Sequence, residues 1–145
     1  MDLESRLRLE RDIPPVEEFL SSTGGALHRR DQDPPGLYWA TLQPRNRERA
    51  PFTARLLWTV YPFRPPSLLF ARAIGEPTGE RTAWPAAPGY RAPNDVCKPF
   101  TAEGQGLHRE WATGPHAWPG TGNVFLYVLE IVQGDIDRVD GRRTT

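Results

Sequence analysis

A chain of 145 residues, 38% apolar and 25% charged, has the length of one ordinary domain and enough apolar material to bury a core. Its 18 basic residues balance its 18 acidic ones, so the long-range attraction to phosphate on which nucleic-acid binders rely is missing. No apolar run nears the ~20 residues of a membrane span, and Met1 to Glu10 is too charged for the apolar core of a signal peptide, which together predict a cytoplasmic protein with neither nucleic acid nor membrane as partner.

The first element is a short helix over Asp2 to Arg11. Leu3 and Leu7 sit one turn apart, Arg6, Arg8 and Arg11 face solvent, and Pro14 and Pro15 end it, because a residue before proline is pushed away from helical angles. Val16 to Phe70 then shifts to strand periodicity. Phe19 to His28 reads as a weak first strand and Tyr38 to Leu42 as a second. Phe52 to Tyr61, where Phe52, Ala54, Leu56, Trp58 and Val60 alternate with their neighbours, reads as a third, and Ser67 to Ala73 as a fourth. The polar linker Gln43 to Pro51 joins the second and third as a hairpin, which predicts a four-stranded antiparallel meander.

The chain holds 16 prolines and 13 glycines, about a fifth of its residues against a usual share near ~12%. Many fall in Ile74 to Tyr90, which reads as a long loop without a regular element. Lys98 to Gly122 reads as a second irregular stretch, so Cys97, the only cysteine, is flanked by loop on both sides. A core helix follows over Asn123 to Gln133, apolar nearly all round, with Thr121 or Asn123 as its cap and Gly134 at its end. The polar segment from about residue 135 to Thr145 reads as a solvated tail. The fold class expected is α+β, in a single domain over residues 1–145.

Between the third and fourth strands stands Tyr61-Pro62-Phe63-Arg64-Pro65-Pro66. Farther on come Pro93-Asn94, then Cys97, then Trp118-Pro119 and the core helix. In this order the chain resembles the ubiquitin-conjugating enzymes, whose signature runs Tyr-Pro-Phe-x-Pro-Pro, His-Pro-Asn, the catalytic cysteine, Trp-x-Pro and a core helix. Ala92 stands where the family has histidine, and Asn94 lies closer to Cys97 than the family's asparagine does to its cysteine. The short C-terminus is similar to that of divergent bacterial members, encoded beside a ubiquitin-like protein, an activating enzyme and a deconjugating protease in systems linked to phage defence.

The resemblance implies a UBC-like fold and an enzyme that accepts the C-terminus of a ubiquitin-like protein as a thioester on Cys97 and passes it to an amine on a target protein. It also implies that the N-terminal helix, through Arg6, Arg8 and Arg11, and the proline loop, through Phe63 and Pro65, dock the cognate activating enzyme. A thiol suits this chemistry, since its thiolate attacks thioesters readily and the product stays reactive toward amines. Aminolysis passes through an anionic tetrahedral species, for which the Asn94 amide is the candidate donor. Deprotonating the amine needs a base; His108 is the first candidate, ahead of His116, Glu110 and Asp95.

Two other classes fit the same residues. One is an inactive conjugating-enzyme-like module that only binds a ubiquitin-like protein; the other is a cysteine hydrolase using Cys97 and His108. A zinc site of Cys97, His108 and His116 matches no standard ligand spacing, so neither metal nor cofactor is expected. The five tryptophans read as core and loop anchors rather than a base-stacking platform. Lys98, the only lysine, immediately follows the cysteine.

Overall fold

The computed structural model describes residues 1–145. Helix α1 (Leu3–Thr23) is followed by strands β1 (Ala26–His28), β2 (Leu37–Leu42), β3 (Phe52–Leu57) and β4 (Ser67–Ala71), and the chain closes on a long C-terminal helix. The four strands form one antiparallel sheet in the order β1-β2-β3-β4, with Ala40 opposite Ala54 and Ala54 opposite Phe70. This is the expected α+β meander. Tyr38, Ala40, Leu42, Phe52, Ala54, Leu56, Leu68 and Phe70 all join the core, as the two-residue period of a strand requires.

Helix α1 runs through Pro14 and Pro15 instead of stopping before them. Both prolines are exposed, so the carbonyls that lose their helical donors lie on the solvent side. The buried residues Leu9, Val16 and Leu20 continue on the other side. Tertiary packing thus outweighs the local break, and only Gly24, at φ +93°, ends the helix. Its phase also differs from the expected one: Leu3 and Leu7 are exposed, while the inward stripe is Ser5, Leu9, Asp12, Val16 and Leu20. The first strand shrinks accordingly to three residues.

Strand β3 stops at Leu57 although the alternation continues to Tyr61, because Trp58 and Tyr61 are buried from a turn. Strand β4 stops at Ala71. Trp39 lies on the sheet face away from the helices, yet it is 2% exposed. The β1–β2 connection covers it: Arg30 sits 5.6 Å over its ring, and Asp33 accepts from the indole Nε1 at 3.0 Å and from Arg30 Nε and Nη2 at 2.9 and 2.7 Å.

After β4 the chain leaves the sheet. Residues 72–80 are mostly exposed, anchored where Trp84 Nε1 donates to the Thr78 carbonyl at 3.0 Å. A 3₁₀ turn (Arg81–Ala83) interrupts the expected loop, strands β5 (Tyr90–Arg91) and β6 (Asp95–Val96) make a small hairpin, and helix α2 (Ala102–Leu107) and 3₁₀ turns at Arg109–Ala112 and Gly114–His116 occupy the expected irregular stretch.

The last helix, α3 (Val124–Arg138), is capped by Asn123, which accepts from Leu126 N at 3.0 Å. Gly134 lies inside it. Because Asp135 and Ile136 are buried, the helix continues where a solvated tail was expected. The remaining residues dock as well: Thr144 N donates to the Trp84 carbonyl at 2.9 Å, and the Arg143 guanidinium stacks 4.0 Å over Phe52. Helix α3 packs on α1 and, through Phe125 edge-on to Tyr38 of β2 at 5.5 Å, on the sheet, closing a core of 26 buried residues. No helix is long and apolar enough to cross a membrane.

Candidate functional site

Cys97 directly follows β6. Its N–H donates to the Gly89 carbonyl at 2.8 Å, which continues the β5–β6 pairing by one bond. Gly89 has φ +83°, and a Cβ there would stand 2.7 Å from Lys98 Cε and 3.2 Å from the Cys97 carbonyl oxygen. Only glycine lets the chain reverse here and the lysine stem lie across it. Tyr90 pins the hairpin to α3, its hydroxyl donating to Asp135 Oδ2 at 2.8 Å while Arg138 donates to Asp135 Oδ1 at 2.7 Å. Burial, together with the Asp135 charge, pushes the Tyr90 phenol well above its ordinary pKa.

The segment after the cysteine is held as firmly. The buried Thr101 hydroxyl donates to the Val96 carbonyl and caps α2 by accepting from Gly104 N at 3.0 Å. A Cβ on Gly104 would stand 2.0 Å from the Lys98 carbonyl oxygen, so this glycine lets α2 press against the backbone beside the cysteine. Glu103 docks α2 on β4, accepting from the Ser67 hydroxyl and from Leu68 N. Gln105 Nε2 donates to the Pro99 carbonyl at 2.8 Å and to the His116 carbonyl at 3.0 Å, tying two loops together.

The thiol is half-buried. Beside it a cleft of about 240 Å³ separates residues 98–100 and 115–119 from α3, with Lys98, Phe100, His116, Tyr127, Ile131 and Asp135 among its walls. Cys97 itself is not among its walls; the cleft begins at the next residue, Lys98. No three His, Cys, Asp or Glu side chains stand together as a metal site.

Asn94 closes the β5–β6 turn through its N–H to the Arg91 carbonyl at 2.8 Å. It is exposed, and its side-chain amide makes no hydrogen bond within the protein. Asp95 is engaged by Arg91 at 2.8 and 2.7 Å, an ion pair that raises the arginine's pKa. His108 ends α2, with its ring stacked on Trp111 at 4.0 Å and Nδ1 2.8 Å from Glu110 Oε1. It makes no hydrogen bond to Cys97, so the Cys–His pair of a hydrolase is not assembled. The Glu110 carboxyl is held below its usual pKa by its own backbone amide and by His108.

On α1, Arg6 and Arg11 are exposed. Arg8 pairs with Glu4 at 2.6 Å and lies 5.1 Å over the ring of Phe63, which is 57% exposed, while Pro65 is half-buried. Helix and proline loop therefore form one continuous surface. The exposed Leu3 and Leu7 add apolar area to the same helix; sequence periodicity sets them apart from the solvent-facing arginines and does not count them in this surface. Trp118 Nε1 donates to the Pro62 carbonyl at 2.9 Å and ties this loop to the approach of α3. Thr101, Gly104 and Gln105 were also missed, although a threonine just before a run of helix formers is a capping signal. No family model matches the chain, and no curated protein matches it.

Proposed function

We propose that this protein is a ubiquitin-like-protein conjugating enzyme, which takes the C-terminus of a ubiquitin-like protein from an activating enzyme as a thioester on Cys97 and transfers it to an amine on a target. The observation that carries the reading is the half-buried Cys97, its backbone fixed by the Gly89 bond at the end of a hairpin and followed directly by a residue that lines a cleft. The order of elements supports it: helix, four-stranded meander, proline hexapeptide between β3 and β4, cysteine, then core helix, as in the UBC-like fold. A setting in a bacterial antiphage conjugation system belongs to the same proposal.

In this reading the Cys97 thiolate attacks the activating enzyme's thioester, the new S–C bond forms as the old one breaks, and the activating enzyme's thiolate leaves. A target amine then attacks the same carbonyl and Cys97 leaves. In the same proposal the exposed Asn94 amide acts as the donor to the anionic intermediate and His108 as the base. The surface of Arg6, Arg8, Arg11, Phe63 and Pro65 docks the activating enzyme.

The test is loading with ATP, a cognate activating enzyme and its ubiquitin-like protein, followed on a nonreducing gel. A thiol-sensitive adduct is expected in the wild type, a thiol-resistant oxyester in Cys97→Ser, and none in Cys97→Ala. A reducible adduct in the alanine variant overturns the assignment.

A further inference from the structure

The cleft beside Cys97 contains two charged side chains, and they are not in the same state. Asp135 is satisfied twice, by the Tyr90 hydroxyl and by Arg138. Lys98 has no carboxylate within 4.0 Å and no side-chain hydrogen bond, although all other cleft walls named above are apolar or aromatic apart from His116. Its stem is laid down across Gly89, whose missing side chain makes the room. The constrained glycine thus makes room for a lysine that lines the cleft and has no carboxylate partner of its own.

We infer that Lys98 is a specificity-determining residue that reads an acidic side chain in the tail of the incoming ubiquitin-like protein. The inference rests on the reading of Cys97 as the acceptor. Its geometry follows from chain dimensions. Adjacent Cα atoms are about 3.8 Å apart, a lysine stem adds about 6 Å and the cysteine side chain about 3 Å, which keeps the ammonium within about 13 Å of the sulfur. An extended tail advances about 3.3 Å per residue, so the carboxylate belongs on the second to fourth residue from the terminal carbonyl. Asp135, occupied by the Tyr90 hydroxyl and the Arg138 guanidinium, does not compete for the ammonium, and the positive charge of Lys98 disfavours a basic residue at the same tail position.

The experiment uses synthetic heptapeptides ending in glycine, with Glu, Gln or Lys as the third residue from that end, each made as a mercaptoethanesulfonate thioester and as an unreactive carboxamide. Thioesters measure loading: the bond to Cys97 Sγ forms as the bond to the mercaptan breaks, and the mercaptan leaves as its thiolate. Carboxamides measure binding by NMR titration. The full-length wild type should load and bind the Glu peptide about three- to fivefold better than the Gln peptide, the range of a partly screened ion pair. The Lys peptide should rank last, and the preference should shrink in 0.5 M salt. Lys98→Arg should keep the preference and Lys98→Gln lose it. Each ratio compares two peptides on one protein, so it does not depend on the fraction folded.

Loading without a Glu preference, or a preference that persists in Lys98→Gln, overturns the role of Lys98 and leaves Cys97 as the acceptor. A Lys98-dependent binding preference without loading supports the role of Lys98 and overturns Cys97. Neither loading nor preference overturns both.

Discussion

The Tyr61 hydroxyl donates a 2.6 Å hydrogen bond to Asp12 Oδ2 across 49 residues of sequence, with both side chains buried. Around it, Ser5 Oγ accepts from Tyr61 N at 3.1 Å, Asn123 Nδ2 donates to the Asp12 carbonyl at 2.9 Å, and Phe125 N points at the Tyr61 oxygen from 3.4 Å. Helix α1, the proline turn and the start of α3 therefore meet at one polar node inside the core. Burial, reinforced by Asp12, raises the Tyr61 pKa far above that of a free phenol, so the hydroxyl remains a donor at every physiological pH.

Removing that hydroxyl leaves a buried carboxylate without its best donor. Tyr61→Phe should cost about 1–3 kcal/mol, read as a lower urea midpoint with unchanged m-value. An unchanged midpoint would show that the node contributes nothing.

The second prediction concerns the proline pair in α1. Pro14 is exposed within a continuous helix, so Pro14→Ala restores a helical donor without touching the core. The gain in helix propensity, reduced by the greater freedom of the unfolded chain, should stabilise the protein by about 1–2 kcal/mol. Thermal melts of the two proteins decide it, and a lower Tm for the alanine variant would contradict this account of the helix.

These prolines also show why part of the fold was illegible in the sequence. Strands β2 and β3 carried their alternation openly, because every second residue meets the core. In α1 the inward stripe includes Ser5 and Asp12, polar residues whose partners lie far along the chain, and no local pattern reveals them. The C-terminal segment misled in the same way: its charges are satisfied by Tyr90, the Ala50 and Pro51 carbonyls and the Phe52 ring. At the candidate site the cysteine was visible as the only one. The side chains that hold it, Thr101 and Gln105, bond mainly to backbone carbonyls, and such bonds leave no mark in residue type alone.

A third prediction concerns acid. Arg30 first, then Trp39, hold the Asp33 carboxyl at about 2, below the ~3.9 of an unfolded aspartate. A depressed folded pKa means that the stabilisation is complete above the unfolded value and is lost as pH falls through the folded one. The Trp39 indole Hε1 resonance should therefore titrate with a midpoint near pH 2, and stability should fall more steeply between pH 4 and 2 in the wild type than in Asp33→Asn. Identical acid profiles would remove Asp33 from this role.

The fourth addresses the surface of α1 and the proline loop. Leu7 is 57% exposed and Phe63 equally so, so Leu7→Asp and Phe63→Asp should leave the melting temperature within about 2 °C, as surface changes do. Both should slow loading by the activating enzyme about tenfold or more, as loss of an apolar contact at the centre of an interface does. Charge reversal at Arg6 and Arg11 should slow it chiefly at low salt. Wild-type loading by both aspartate variants would place the docking surface elsewhere.

The 26 core residues divide evenly about the exposed stretch 72–80, thirteen contributed from each side. All four sheet strands precede it, and Cys97 with α2 and α3 follows it. Neither half closes a core without the other. A cut in this stretch should therefore yield two fragments that remain unfolded alone and reassemble when mixed, with Cys97 supplied by one piece and α1 by the other, which turns the proposed loading into a reporter of whether two separate chains have met.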